Sequence, residues 1–184
     1  VMGLPKPDAI RLLLRAVPGT EPLQQKVPDI HADFVARMID FYRTSPTVKE
    51  VEGAAATFAR VRAAGIKVAL DTGFSSDITQ TILDRLGWRV GETLDGVVSS
   101  DQVAQGRPAP DMIHHLMQTL QVTDPQRVVK VGDTPSDLHE GTNAKCGYVI
   151  GVTQGSHTED QLRPHPHTHL IPSVAALPEI LGCM

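Results

Sequence analysis

The chain is short of cysteine, of long hydrophobic runs and of surplus basic charge, and each shortage removes a class of function. Only two cysteines occur among 184 residues. Cys146, beside the helix-ending Gly147, and Cys183 near the C-terminus have neither metal-ligand spacing nor the density of a disulfide framework, so both read as small hydrophobes. No apolar stretch approaches the ~20 residues a membrane-spanning helix needs, and the first residues show no basic region followed by an apolar core. A cytoplasmic location is the default expectation. The net charge of -4, with no Lys/Arg run, gives no electrostatic footprint for nucleic acid. Repeats and low-complexity tracts are absent as well. What remains, 41% hydrophobic and 21% charged, is an ordinary globular composition, enough for one sizeable domain plus an appendage.

The apolar pattern divides the chain in two. Residues 1–45 carry two helical stripes and no strand. The first follows Pro7, with Ile10, Leu13, Leu14 and Val17 at helical spacing, and stops at Pro18-Gly19. The second follows Pro28, with Ile30, Phe34, Val35, Met38, Ile39 and Tyr42 on one face, and ends before Pro46. A helical hairpin over 1–47 is expected, leading through a linker at 48–53. From residue 54 helix and strand alternate. Helices are expected over 54–64, 76–86, 110–120, 135–144 and around 174–181, with strands over 66–71, 96–99, 127–132, 148–152 and 169–171. That alternation is the signature of an α/β fold, a parallel sheet with helices on both faces, over 48–184. In open sheets of this kind ligands sit outside the carboxyl ends of the strands.

Three of those ends carry chemistry. Asp71-Thr72-Gly73 closes the first strand, where a hydroxyl beside a glycine and free backbone N–H groups suit an oxyanion. The same triplet also reads as a Thr turn capping the next helix. After the second strand, Gly106-Arg107-Pro108 holds a guanidinium on stiff backbone that can aim it at phosphate oxygens, although a loop arginine is as readily a solvated one. The third end lies in VVKVGDTPSDLHEG at 128–141. Asp133 closes the strand, Thr134-Pro135-Ser136 opens a helix, and Asp137 sits in its first turn, so that two carboxylates can converge on a hard divalent cation. A helix cap plus a solvated acid is the competing reading. Lys130 interrupts this otherwise apolar strand and requires a partner or a route to solvent. His165, His167 and His169 alternate as metal ligands on a strand would, but Pro166 between them favours a surface loop entering a strand. His114-His115 is expected at a core boundary.

A hydroxyl, a cation and a carboxylate pair at successive strand ends resemble motifs two, three and four of the haloacid dehalogenase superfamily. GRPAP, GDTPSDLHEGTNA and the early VMGLPK narrow the resemblance to its phosphonatase branch, phosphonoacetaldehyde hydrolase and its relatives. The resemblance covers nearly the whole chain. It implies a Rossmann-like sheet and makes residues 1–47 part of a mobile helical cap. It implies Mg2+ held by Asp133 with Asp137 supporting the site, a phosphoryl group bound by Thr72 and Gly73, and charge compensation by Arg107. Lys6 falls where the phosphonatases form a Schiff base with their substrate aldehyde. The implied substrate is a small phosphorylated or phosphonate metabolite, and pairing of cap helices between subunits is a family-level possibility.

Two departures qualify these expectations. The family's nucleophile is an aspartate on a strand that precedes the cap, whereas this chain begins inside the cap. We therefore expect the sequence to be incomplete at its N-terminus and inactive as it stands. The same strand lies centrally in the family sheet, so the strands ending at Thr72 and Asp133 should be left with unpaired edges. Asp71 is the one upstream carboxylate that could substitute, but Ser99 or Ser100 would then have to supply the hydroxyl. In addition, a histidine that moves protons three residues after the Schiff-base lysine is replaced by Ala9. The expected function is a Mg2+-dependent hydrolase of the phosphatase or phosphonatase type, with a non-catalytic binding or scaffold protein of the same fold as the alternative.

Overall fold

A computed structural model describes residues 4–183; Val1–Gly3, the start of the VMGLPK motif, lie outside the described residues. The N-terminal region is helical, with α1 over Lys6–Ala16 and α2 over Val27–Thr44 packed side by side. Pro7 and Pro28 sit in the first turns, where the absent N–H costs nothing. A 3-10 segment over Glu21–Lys26 leads directly into α2, an element the helical periodicity did not separate from its neighbour.

The remainder alternates: α3 (Ala54–Ala63), β1 (Ala69–Thr72), α4 (Ser76–Leu86), β2 (Gly96–Ser99), α5 (Asp111–Thr119), β3 (Val129–Gly132), α6 (Pro135–Asn143), β4 (Tyr148–Val152), α7 (Glu159–Leu162), β5 (His169–Ile171) and α8 (Leu177–Ile180). The first strand starts three residues later than its apolar run. Gly65, at φ 79°, terminates α3, and the Ile66 N–H is spent on the Val61 carbonyl in that cap. α4 ends in the same way, Gly87 adopting φ 69° while the Trp88 N–H returns to Leu83.

All strand pairs are parallel, but the strands form two sheets. β1 pairs with β2 in the register Leu70↔Val97, and β3–β4–β5 form the other with Val131↔Ile150 and Gly151↔Leu170. Among the described residues, β1 and β3 each have one strand neighbour and are not bonded to each other. Helices cover both faces, as alternation along the strands shows. Ile150 and Val152 of β4 pack with Ile171 and with Leu177 of α8, while Val149 points oppositely, to Leu138 of α6 and Leu162 of α7. On β2, Val98 packs with Met112 and Leu116 of α5, and the Ser99 hydroxyl donates to Thr79 of α4 at 2.9 Å. Each fully buried aliphatic side chain contributes about 1.5–3 kcal/mol, so the side-chain layers hold each sheet to its helices. The N-terminal helices dock on this body through α2 against α4 and through Tyr42, whose ring meets that of Phe74 edge-on at 6.0 Å.

Candidate active site

The carboxyl ends of β1 and β3 face one another across a seam filled by side-chain charge. Lys130, mid-strand in β3 and 5% exposed, reaches across to Asp71 at 2.7 and 2.8 Å and lies 3.2 Å from Asp137. Its ammonium is also 2.6 Å from Glu140, an ion pair whose angle is poor for a hydrogen bond. Arg107 enters from the loop before α5. Its Nη1 donates to Asp137, and its Nε is 3.6 Å from Asp71 and 3.9 Å from Glu140, with no hydrogen bond of its own. Two glycines allow this approach: a Cβ on Gly132 would overlap the Asp137 side chain, and one on Gly141 would press on Lys130. The Asn143 amide donates to Pro108 O at 2.8 Å and ties the arginine loop to α6.

Two cations therefore face three carboxylates in a site shielded from water. Burial alone would depress both cations, but Asp71, Asp137 and Glu140 outweigh it and hold Lys130 and Arg107 charged. Burial likewise opposes ionisation of Asp137, and Lys130 and Arg107 reverse it, leaving its carboxyl below the usual range. Glu140, wholly buried, goes the other way. Desolvation raises it to about 7 despite Lys130, with the negative charge of Asp71 adding to the rise.

The expected site residues sort into two groups. Arg107 and Asp137 come together in the network, and Asp137 is further engaged by the capping box of α6, accepting from the Thr134 N–H at 3.1 Å and the Thr134 hydroxyl at 2.6 Å. Asp133 does not share that point. Its Oδ2 turns to the loop after β4 and accepts the Ser156 N–H at 2.5 Å. Thr72 closes β1 in a Thr turn, its Oγ1 accepting the Phe74 N–H at 3.1 Å, and Gly73 is buried with its carbonyl accepting from Ser100. Lys6 begins α1 with its Nζ 5.0 Å from the Phe74 ring centroid. Burial first, then the positive charge of Arg107, pulls its ammonium below the ordinary lysine value. Gly106 packs against Pro5, which brings Lys6 to the arginine loop.

Whether these groups fit a magnesium ion turns on their free oxygens. Asp71, Asp137 and Glu140 lie within 4.8 Å of one another, but Lys130 and Arg107 already fill the space between them. Asp133 differs, since its Oδ1 takes no hydrogen bond among the described residues. One hard carboxylate oxygen at a strand end fits Mg2+, which keeps several waters and takes only one or two protein carboxylates.

Glu140 and the loop at Gly155–Ser156 were not anticipated from the sequence. Glu140 stands three residues after Asp137, on the same helical face, and that spacing beside a charged Lys130 in an apolar strand is its signal in the sequence. The histidines at 165 and 167 lie in the loop before β5, where His165 Nδ1 meets His139 Nε2 at 3.2 Å. His114 and His115 are both exposed rather than at a core boundary, because Met112, Ile113 and Leu116 take the buried side of α5.

Fold and strand-end side chains define an open parallel α/β domain with its polar groups gathered at the carboxyl edge. Comparison with known proteins makes this specific. The chain belongs to the haloacid dehalogenase-like hydrolase family, whose sequence profile matches residues 5–145. It is 29% identical over 197 residues to a phosphonoacetaldehyde hydrolase of Bacteroides fragilis, covering 94% of this chain and 66% of the relative. A phosphonoacetaldehyde hydrolase of Parabacteroides distasonis is 33% identical over 171 residues, covering 84% and 61%. The chain thus spans two thirds or less of the length of these relatives. Among solved structures, a phosphonoacetaldehyde hydrolase-like protein from Oleispira antarctica superposes with a TM-score of 0.77 at 21% identity, over 98% of this chain and 76% of its own. CbbY from Rhodobacter sphaeroides in complex with phosphate gives 0.76 at 22% identity, over 95% and 75%. At these identities the structures establish the shared fold.

Proposed function

We propose that this chain carries the phosphate-handling side of a Mg2+-dependent phosphatase or phosphonatase acting in the cytoplasm on a small phosphorylated or phosphonate metabolite. The observation that carries this reading is the entry of Arg107 into the water-poor seam between β1, which Thr72 ends, and β3, which Asp133 follows directly. The names of the relatives, phosphonoacetaldehyde hydrolases at about 30% identity, support the same substrate class. Asp133 holds the metal, which when bound neutralises charge building on the phosphoryl oxygens. The Thr72 hydroxyl and the backbone at Gly73 bind those oxygens. Asp137 acts from behind, fixing Arg107 so that the guanidinium is pre-aimed.

In this proposal the attacking group is an aspartate on a further strand seated between β1 and β3, and water then clears the acyl-phosphate. The three carboxylates of the network are committed: Asp71, Asp137 and Glu140 are all bound to Lys130 or Arg107. The described residues alone are accordingly expected to be inactive. Residues 1–47 act as a cap over the 48–184 core, and Leu12 and Leu13 on α1, with Val17 just after it, are exposed and suit a cap-to-cap homodimer. Lys6, with its depressed ammonium, is the group to form a Schiff base if the bond cleaved is C–P. The buried Ala9 supplies no proton, so borohydride trapping of Lys6 separates C–P from P–O cleavage.

Titration of Mg2+ and of tungstate into the chain tests the reading. Asp133→Asn should abolish metal binding and Arg107→Ala should abolish oxyanion binding; unchanged Mg2+ affinity in Asp133→Asn would overturn the metal assignment. The hold of Asp137 on Arg107, with Asp71 and Glu140 close by, favours one second reading, a non-catalytic binding protein of this fold. Beryllium fluoride, added to protein that carries the further strand, discriminates, because it requires an attacking carboxylate: Mg2+ binding there with no fluoride complex supports the binding protein.

A further inference from the structure

The loop after β4 is the one segment at the carboxyl edge to which neither composition nor family pattern assigned a role. It runs Thr153-Gln154-Gly155-Ser156-His157 and leads into α7. At its turn the Ser156 N–H donates to Asp133 Oδ2 at 2.5 Å, a close bond to a charged acceptor. Gly155 lies flat against the same carboxylate. A Cβ there would overlap not only Oδ2 but Cγ and Cβ of Asp133, so no swing of the carboxylate end alone relieves the contact. No positive φ is involved, and the glycine is required by close approach, not by backbone conformation. The loop is itself secured. The Thr153 N–H donates to Ile171 O at 3.0 Å, the Gln154 side chain accepts the Val174 N–H at 3.0 Å, and the Ser156 hydroxyl meets His157 Nδ1 at 2.9 Å.

We infer that Gly155 and the Ser156 backbone are positioning groups for the metal ligand: they clamp one oxygen of Asp133 and so present the other, Oδ1, to the cation. The inference rests on the proposed role of Asp133 and adds the device that orients it. Satisfying Oδ2 by a fixed donor selects one carboxylate rotamer. It also leaves a single hard oxygen facing the open edge, which is how ligand carboxylates are held when affinity depends on the groups behind them. The same geometry separates the two aspartates of the motif. Asp137 is drawn to Arg107 and Lys130, while Asp133 is drawn to the loop, so metal binding and guanidinium positioning are assigned to different carboxylates.

The test is Mg2+ affinity by calorimetry on the full chain, with a 15N-1H spectrum recorded during the titration. Gly155→Ala should weaken Mg2+ binding about 10- to 100-fold, with a melting temperature close to that of the parent. In the parent, the Ser156 amide resonance should be among those that move most on adding Mg2+, and it should be still in Asp133→Asn. Parental affinity in Gly155→Ala, or a Ser156 amide that ignores bound Mg2+, overturns the positioning role while the metal site stands. Parental affinity in Asp133→Asn, or no Mg2+ binding by the parent, instead overturns the metal assignment and this inference with it. If Gly155→Ala does not fold, the parent's Ser156 resonance decides alone.

Discussion

At the scale of single residues, Lys130 holds the buried charge network together. Among the described residues it is the one ammonium in contact with Asp71, Asp137 and Glu140, and removing it leaves three carboxylates to Arg107. Breaking a buried pair from one side costs about 3–5 kcal/mol, because the uncompensated charge stays in the interior. Lys130→Met should therefore lower the free energy of unfolding by that order, measured by urea denaturation. Adding Glu140→Gln should recover part of the loss, since the two act on one network. Glu140 also gives a pH signature. Its folded pKa, about 7, lies above its ordinary value of 4.5. Below 4.5 its contribution is fully present, and it is lost as pH rises through 7. Compared across pH 5 to 8, Glu140→Gln should gain stability relative to the parent; parallel pH profiles would sink the assignment. The residues of this network were only half legible in the sequence. Lys130 announced itself as a charge within an apolar strand, whereas Asp71 and Glu140 become its partners only once β1 and α6 are packed beside it. The separate fates of Asp133 and Asp137 were hidden for the same reason, as the distant Ser156 and Arg107 decide them.

Among the elements, those carrying their own stop and start signals are the ones whose limits could be read in advance. α4 is bounded by Ser75 and Gly87, and α6 by the Thr134–Asp137 capping box with Pro135 at its first position. α7 escaped although Thr158 and Gln161 form the same box, because four residues carry no periodicity to accompany the cap. The fit of α6 to its sheet depends on Gly141. Alanine there gains helix propensity of up to ~1 kcal/mol. Its Cβ, however, would sit 2.7 Å from Lys130 Cβ and 3.0 Å from Val149 Cγ2, neither of which is a flexible end. Overpacking of this kind costs about 1–3 kcal/mol, so Gly141→Ala should lower the melting temperature despite the better helix former. A second junction joins α3 to the start of β1. Arg62 donates to both oxygens of Asp95, which also accepts the Val68 N–H at 2.8 Å. The Arg62 hydrogen bond, opposed in part by burial, holds the Asp95 carboxyl below its ordinary 3.8. That contribution is present above pH 3.8 and is lost as pH falls through the lowered value. Asp95→Asn should therefore be less stable than the parent at pH 6, and the gap should close in strong acid.

The whole molecule is two parallel sheets joined through ionic side chains where a continuous sheet would have a strand. β4 has neighbours on both sides, so every backbone N–H along it can enter a ladder. Among the described residues, β1 and β3 each have a neighbour on one side, so alternate amides of each face the seam. Side chains such as Lys130 and Arg107 neutralise carboxylates there, but they cannot supply the regular carbonyl row that an adjacent strand would. Hydrogen exchange reads this directly. Amides of β4 should be protected throughout, while β1 and β3 should show alternating protection, with the seam-facing half exchanging orders of magnitude faster. Uniform protection of β1 and β3 would mean that a strand occupies the seam, from a second copy of the chain or from elsewhere in the polypeptide. Asp71 would then be displaced from Lys130, the network would be rearranged around the newcomer, and the pH profile of Glu140→Gln would lose its step near pH 7. The two measurements are thus coupled through the same space: an open seam predicts both alternating exchange and the titration, and a filled one predicts neither.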